Sequence, residues 1–322
     1  MADTTHDELK DYLSDLYTLE LQGLSQLNGS PDIAEDAGFK ADLLAHKSES
    51  ERQAELVENR LEELDGSVST LKKGVMKLGG KGFLLFAQSL PETPGRILAH
   101  SFAFEALEYG GYAVLGQLAT RDGDSKTAAL AKKIQEEESA MMKRLESRFD
   151  GATEASHRDT DDEKLQDEVV KHLTEAHALE QECEKLLEKG MDISDDPSIC
   201  GLFESLRSDV RNTKTALQER LQALGTEPSS LKDAAMNLGA LNWGLFFQIQ
   251  KDSPAKYLPF VYAMYHLKIA GYELLLRTAR KANDGSTRGM CVDILKSQRD
   301  AAERVESVFD NAVQETILEI SK

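Results

Sequence analysis

The chain has 322 residues and carries 57 acidic against 38 basic side chains, a formal net charge of −19. An excess of this size repels phosphate backbones and anionic lipid, so it argues against nucleic acid or a membrane surface as the main partner. The three cysteines show no CxxC spacing, the N-terminus lacks a signal-peptide pattern, and no apolar run reaches membrane-spanning length. We therefore expect a soluble cytoplasmic protein with free thiols.

An internal repeat organises the whole chain. Residues 69–79, STLKKGVMKLG, match residues 229–239, SSLKDAAMNLG, at an offset of 160. The same offset pairs Phe149 with Phe309 and further identities along the chain. Chance similarity does not hold one register over such a length, so the chain is a duplicated unit. The expected domains are residues 1–150, a polar linker at 151–165, and residues 166–322.

Apolar residues recur at helical spacing in four segments of the first unit, roughly at 7–28, 36–65, 95–119 and 124–149. The connections NGSPD and RDGD are short, so the first two and the last two helices should form antiparallel hairpins. About thirty residues separate the hairpins, with a further short helix expected near 69–78. This predicts an all-α fold of two tandem ferritin-like four-helix bundles, each with a long crossover.

Acidic residues interrupt the apolar stripe of every helix in the first unit. The candidates are Glu20 on the first helix, His46 and Glu49 on the second, Glu105 and Glu108 on the third, and Glu138 on the fourth. A lone buried carboxylate would take up a proton, whereas several that converge require a cation. Carboxylate oxygens with one imidazole suit two divalent ions, with iron first and manganese or zinc as alternatives.

Each of these residues also has an ordinary interpretation. A single glutamate on a helix is nearly always solvated, and a lone histidine such as His46 is more often a core residue than a ligand. The run Glu136-Glu137-Glu138 leaves Glu137 open as the residue of the fourth helix. The argument for a site is that all four helices carry an acid on the apolar face.

Four strings together resemble the YciE/YciF family of bacterial ferritin-like stress proteins. They are DLYTLELQ at 15–22, HKSESERQ at 46–53, FEALEYGGY at 104–112 and IQEEESAMMKRL at 134–145. The resemblance implies a di-iron or similar dinuclear centre and an association with stress responses. In it, Glu20 is a terminal ligand, Glu49 and Glu138 bridge the ions, and Glu105, Glu108 and His46 complete the set.

The sequence departs from the wider ferritin pattern at two positions, where Arg52 and Met141 stand in place of histidines. Neither side chain is a ligand for a hard divalent metal. We expect Arg52 to pair with a ligand carboxylate instead. The loss of two imidazoles argues against ordinary ferroxidase turnover.

The second unit serves as an internal control for the ligands. Only the first glutamate is kept, and the six matched residues are Glu180, Leu206, Asp209, Tyr265, Lys268 and Gln298. We expect the Lys268 ammonium to neutralise Glu180 and Asp209 and to exclude a metal. The second unit is then a pseudo-domain that pairs intramolecularly with the first, giving a monomer.

Two functions remain open at this point. The first is a metal-binding protein with oxidase- or peroxidase-like activity toward dioxygen or peroxide in stress defence, with Tyr17, Tyr109 and Tyr112 as electron relays or as core residues. The second is a catalytically silent helical structural or interaction protein whose sites are vestigial. Metal content distinguishes the two.

Overall fold

In the computed structural model, residues 2–66, 93–226 and 253–321 are described, and all regular structure within these ranges is helical. The first half contains α1 (Ala2–Leu27), α2 (Ser30–Ile33), α3 (Ala37–Glu63), α4 (Pro94–Asp122), α5 (Ser125–Glu146) and α6 (Phe149–Ser156). The four predicted helices are thus present as α1, α3, α4 and α5. The short helices α2 and α6 were not anticipated.

The helix ends follow from local sequence signals. The Asp36 side chain accepts a hydrogen bond from the backbone N–H of Phe39 at the start of α3, and Asp124 caps α5 through Thr127 in the same way. Gly123 closes α4 with a φ of 81°, a left-handed conformation that a side chain would disfavour. These caps account for the tight turn between α4 and α5.

The second half repeats the order of the long helices. It contains a 3₁₀ turn (Asp162–Lys164), α7 (Leu165–Ile193), α8 (Pro197–Ala223), α9 (Pro254–Lys281), α10 (Gly285–Glu306) and α11 (Phe309–Ile320). The predicted all-α architecture of two tandem bundles is confirmed. Residues 67–92, which include the expected helix near 69–78, lie outside the described residues. No helix in the described part of the chain is both long and apolar enough to cross a membrane.

The segment between the halves contains more helix than its polar composition indicated. Helix α6 extends to Ser156, and a 3₁₀ turn begins at Asp162, so regular structure covers part of the segment 151–165. Phe149, at the start of α6, is buried and packs edge-on against Phe102 with ring centroids 5.9 Å apart. Phe149, Ala152 and Thr153 form the buried face that fixes this short helix, while Asp150, Gly151 and Glu154 are exposed.

The two halves pack against each other through α4 and α9. The helices run antiparallel, since Phe102 lies 5.5 Å from the His266 ring while Gly110, further along α4, approaches Pro259, nearer the start of α9. Two ion pairs flank this contact: Lys256 with Asp15 at 2.7 Å, and Arg96 with Glu175.

These two ion pairs are equivalent under the 160-residue offset. The interface therefore has approximate two-fold symmetry.

Candidate metal centre

Helices α3, α4 and α5 bring four polar side chains together in the interior of the first half. They are His46, Glu105, Glu108 and Glu138; all are buried, and one potential ligand atom from each lies within 4.8 Å of the others. Glu105 and Glu108 are three residues apart and share one face of α4. This buried His/Glu group could hold a metal ion.

His46 sits at the centre of the contacts. Its Nε2 lies 2.9 Å from Oε2 of Glu105 and 3.9 Å from Oε2 of Glu138. The Ser50 hydroxyl lies 3.3 Å from the same nitrogen. One nitrogen thus faces two carboxylates from two other helices, as a ligand imidazole would.

Glu20 lies on α1, the remaining long helix of the bundle, and interacts electrostatically with His46 and Glu105. The Tyr112 hydroxyl donates a hydrogen bond of 2.5 Å to its Oε1. Its other oxygen has no hydrogen-bond partner among the described residues, and the same holds for Oε1 of Glu108 and Oε2 of Glu138. A buried carboxylate oxygen without a partner is costly, so these three oxygens are chemically suited to bind a cation.

Burial and mutual repulsion shift the protonation of the group. Burial raises the pKa of Glu20 to about 8 despite the hydrogen bond from Tyr112. Burial and the neighbouring carboxylates also hold the pKa of Glu108 and Glu138 well above the ordinary value. Burial lowers the pKa of His46, but Glu105 and the other acids outweigh this effect, and the net shift is upward. Such a group stays partly protonated until a cation replaces the protons.

The structure does not bring Glu49 into this group. Its side chain is 35% exposed and pairs with Arg144 at 2.6 Å. Its Oε2 lies 3.3 Å from Nδ1 of His46, on the side of the ring that faces away from Glu105. Hydrogen bonds to His46 and then to Arg144 lower the pKa of Glu49 to about 2, so this carboxylate is ionised.

The fourth helix presents Glu138 rather than Glu137 to the interior. Glu138 is fully buried, whereas Glu137 is partly exposed and accepts a hydrogen bond of 2.7 Å from Arg52. The expected pairing of Arg52 with a buried carboxylate of the group is therefore not observed. Arg52 is itself 39% exposed, so its guanidinium contacts the partly exposed Glu137 and not the buried Glu138.

Gln53 is the residue that sequence reasoning missed. It is fully buried, and its Nε2 donates to Oε1 of Glu138 at 2.6 Å and to Glu137 at 3.1 Å. Its Oε1 has no partner among the described residues. The signal was present in the spacing, because Gln53 lies seven residues after His46 and therefore on the same face of α3.

In the second half, an ammonium lies at the matched position. Lys268, at the position of Glu108, contacts Glu180 at 2.8 Å, and the Tyr272 hydroxyl donates to Glu180 at 2.8 Å. Leu206 replaces the imidazole and is buried. The expected contact of Asp209 with Lys268 is not observed. Asp209 is 45% exposed and contacts Arg304 at 3.4 Å. Among the described residues, only the first half contains a His/Glu group that could hold a metal ion.

The fold and this group define a class: an all-helical protein of two tandem bundles, one of which has a buried group able to hold a metal ion. The family model described as "Domain of unknown function (DUF892)" matches residues 4–157 and again 164–318. The chain belongs to this family and contains two copies of its domain. The search of curated proteins gives no match, and neither does the search of solved structures.

Proposed function

We propose that the first half binds two divalent metal ions in a dinuclear carboxylate site, with iron as the first candidate and manganese or zinc as alternatives. The resemblance to YciE/YciF-type ferritin-like stress proteins favours an oxidase- or peroxidase-like role in oxidative defence in the cytoplasm. When bound, the ions would supply redox chemistry toward dioxygen or peroxide. One observation carries the proposal: the buried acids Glu105, Glu108 and Glu138 of α4 and α5 converge with His46 of α3. Glu20 of α1 lies near enough to interact electrostatically with His46. One oxygen each of Glu20, Glu108 and Glu138 has no hydrogen-bond partner among the described residues.

The surrounding residues have defined parts in this proposal. His46, Glu105, Glu108 and Glu138 form the ligand group, and Glu20 approaches it with one free oxygen. Tyr112 fixes the other oxygen of Glu20, as its counterpart Tyr272 does for Glu180 in the second half. Apolar packing around the group keeps water away from the carboxylates, which strengthens their attraction for a cation.

Metal content of the purified full chain tests the proposal. After reconstitution with Fe(II), Mn(II) or Zn(II), we expect up to two ions per chain by elemental analysis. The double variant Glu105→Ala/Glu138→Ala should lose them, because it removes the two carboxylates that lie beside Nε2 of His46. The matched control Tyr265→Ala/Gln298→Ala alters the same positions of the second half and should leave metal content unchanged. A chain that takes up no metal would instead favour the structural or interaction protein.

A further inference from the structure

Glu49 contacts the metal-ligand group, defined as His46, Glu105, Glu108 and Glu138, but is not a member of it. Its carboxylate contacts Nδ1 of His46, while Nε2 of the same ring faces Glu105 and Glu138. The two nitrogens are on opposite sides of the imidazole, so a carboxylate that accepts a hydrogen bond from Nδ1–H leaves the Nε2 lone pair available for a cation. Carboxylates bonded in this way to the remote nitrogen orient many ligand histidines.

Glu49 is held in this position from its solvent side. Arg144, on α5, donates from Nη2 to Oε2 of Glu49 at 2.6 Å and from Nη1 to Oε1 at 3.4 Å. The carboxylate therefore has a cationic partner already, unlike the unpartnered oxygens of Glu20, Glu108 and Glu138. A carboxylate that serves as a bridging ligand would have to leave both Arg144 and His46.

The second half repeats the outer pair without the site. Asp209 and Arg304 are the matched residues and remain in contact at 3.4 Å, although Leu206 replaces the histidine. The acid–arginine pair thus joins the second and fourth helices of a bundle whether or not a metal-ligand group is present. Only its extension to an imidazole is specific to the first half.

From this geometry we propose that Glu49 is a positioning residue that accepts the Nδ1–H hydrogen bond of His46 and directs Nε2 at the metal, and that it is not itself a ligand. The inference rests on the proposed metal site. It replaces the bridging role that the family resemblance implies for this residue.

The experiment compares Glu49→Gln and Glu49→Ala in the full-length protein. The Gln amide oxygen can still accept from Nδ1–H, whereas Ala cannot. In the zinc-loaded protein, Glu49→Gln should keep the wild-type stoichiometry and affinity. Glu49→Ala should keep the stoichiometry but bind zinc roughly 10–100-fold more weakly, the usual cost of removing such a partner. Asp209→Ala is the matched control and should behave as wild type.

The hydrogen bond itself is measured in the metal-free protein by nitrogen-edited NMR of the histidine rings. The His46 Nδ1 proton should be protected from solvent exchange in the wild type, in Glu49→Gln and in Asp209→Ala. In Glu49→Ala this protection should be lost. Loss of one ion per chain in both Glu49 variants would make Glu49 a ligand and overturn the inference. An unprotected Nδ1 proton in the wild type would also overturn it. Failure of the wild type to bind zinc contradicts the proposed function instead, and the proton signal still tests the Glu49–His46 contact.

Discussion

The two halves share their packing and differ in how they balance buried charge. Arg60 contacts Asp124 and Thr127 in the first half, at 2.5 and 2.7 Å, and the matched Arg220, Asp284 and Thr287 repeat this network at 2.7 and 2.8 Å. The buried glutamate of the first helix and its tyrosine partner are also kept. The halves differ at the position where Glu108 of the first half is matched by Lys268 of the second. The interior of the first half therefore has an excess of acids, whereas in the second half Lys268 forms an ion pair with Glu180.

This difference shows that the bundle does not need the acidic group in order to fold. A duplicated chain keeps the helix caps and the apolar stripes in both copies because the core depends on them. The acids of the first half are costly to bury, and the second half keeps its core with Tyr265, Lys268 and Gln298 buried at the matched positions. The proposed metal ion would account for the presence of the acids, which is why the comparison bears on function.

The largest expected effect comes from removing the buried ammonium. Lys268→Met should lower the free energy of unfolding by about 3–5 kcal/mol, because it leaves Glu180 buried without a cation. Glu108→Met, at the matched position, should instead stabilise the metal-free protein, since Oε1 of Glu108 has no partner to lose. Urea denaturation measures both. Equal destabilisation by the two variants would contradict the inferred difference in buried charge between the halves.

The next effect concerns pH in the metal-free protein. The pKa of Glu20 is about 8 in the folded chain against an ordinary 4.5, so the folded state binds the extra proton between these values. The free energy of unfolding should therefore fall as pH rises across this window, by up to about 1.4 kcal/mol per pH unit for such a carboxyl. The raised pKa of His46 acts in the same direction, because its stabilising charge is lost as pH rises.

Denaturation series from about pH 5 to pH 8 test this slope. Glu20→Gln should flatten it, since the amide does not titrate. Bound metal should reverse it, because metal binding displaces the protons and becomes more favourable as pH rises. A metal-free protein that gains stability over this range would contradict the expected protonation of the acidic group.

The smallest effect concerns the space beside Glu108. A Cβ on Gly23 would lie 2.8 Å from Cε1 of Phe104 and 3.4 Å from Oε1 of Glu108, so Gly23→Ala should cost about 1–3 kcal/mol through overpacking. The matched position holds Cys183, whose Sγ contacts Lys268 at 3.7 Å. The control is Gly116→Ala, whose nearest neighbour would be 3.6 Å away and which should gain about 0.5–1 kcal/mol. If thermal denaturation gives both alanine variants the same melting temperature, Gly23 is not constrained by Phe104 and Glu108.

Much of the architecture could be read from the sequence, because it depends on local periodicity. The 160-residue offset identified the duplication, and the 3.6-residue period placed Glu20, Glu105, Glu108 and Glu138 on buried faces. The sequence left Glu137 open as an alternative to Glu138, and the structure places Glu138 in the interior. Helix α6 was missed because eight residues give too short a window for a periodic signal, and Phe149 is its one large buried anchor.

What the sequence by itself determined was the helical class, the repeat and which face of each helix is apolar, since these follow from spacing within one element. What only the tertiary structure decided was the role of residues at the edges of those faces. Glu49 and Gln53 both lie close to the buried stripe of α3, yet Arg144 holds one at the surface while Glu138 engages the other inside. Their partners come from α5, more than eighty residues away, and the rotation of one helix against another is not encoded in either helix alone.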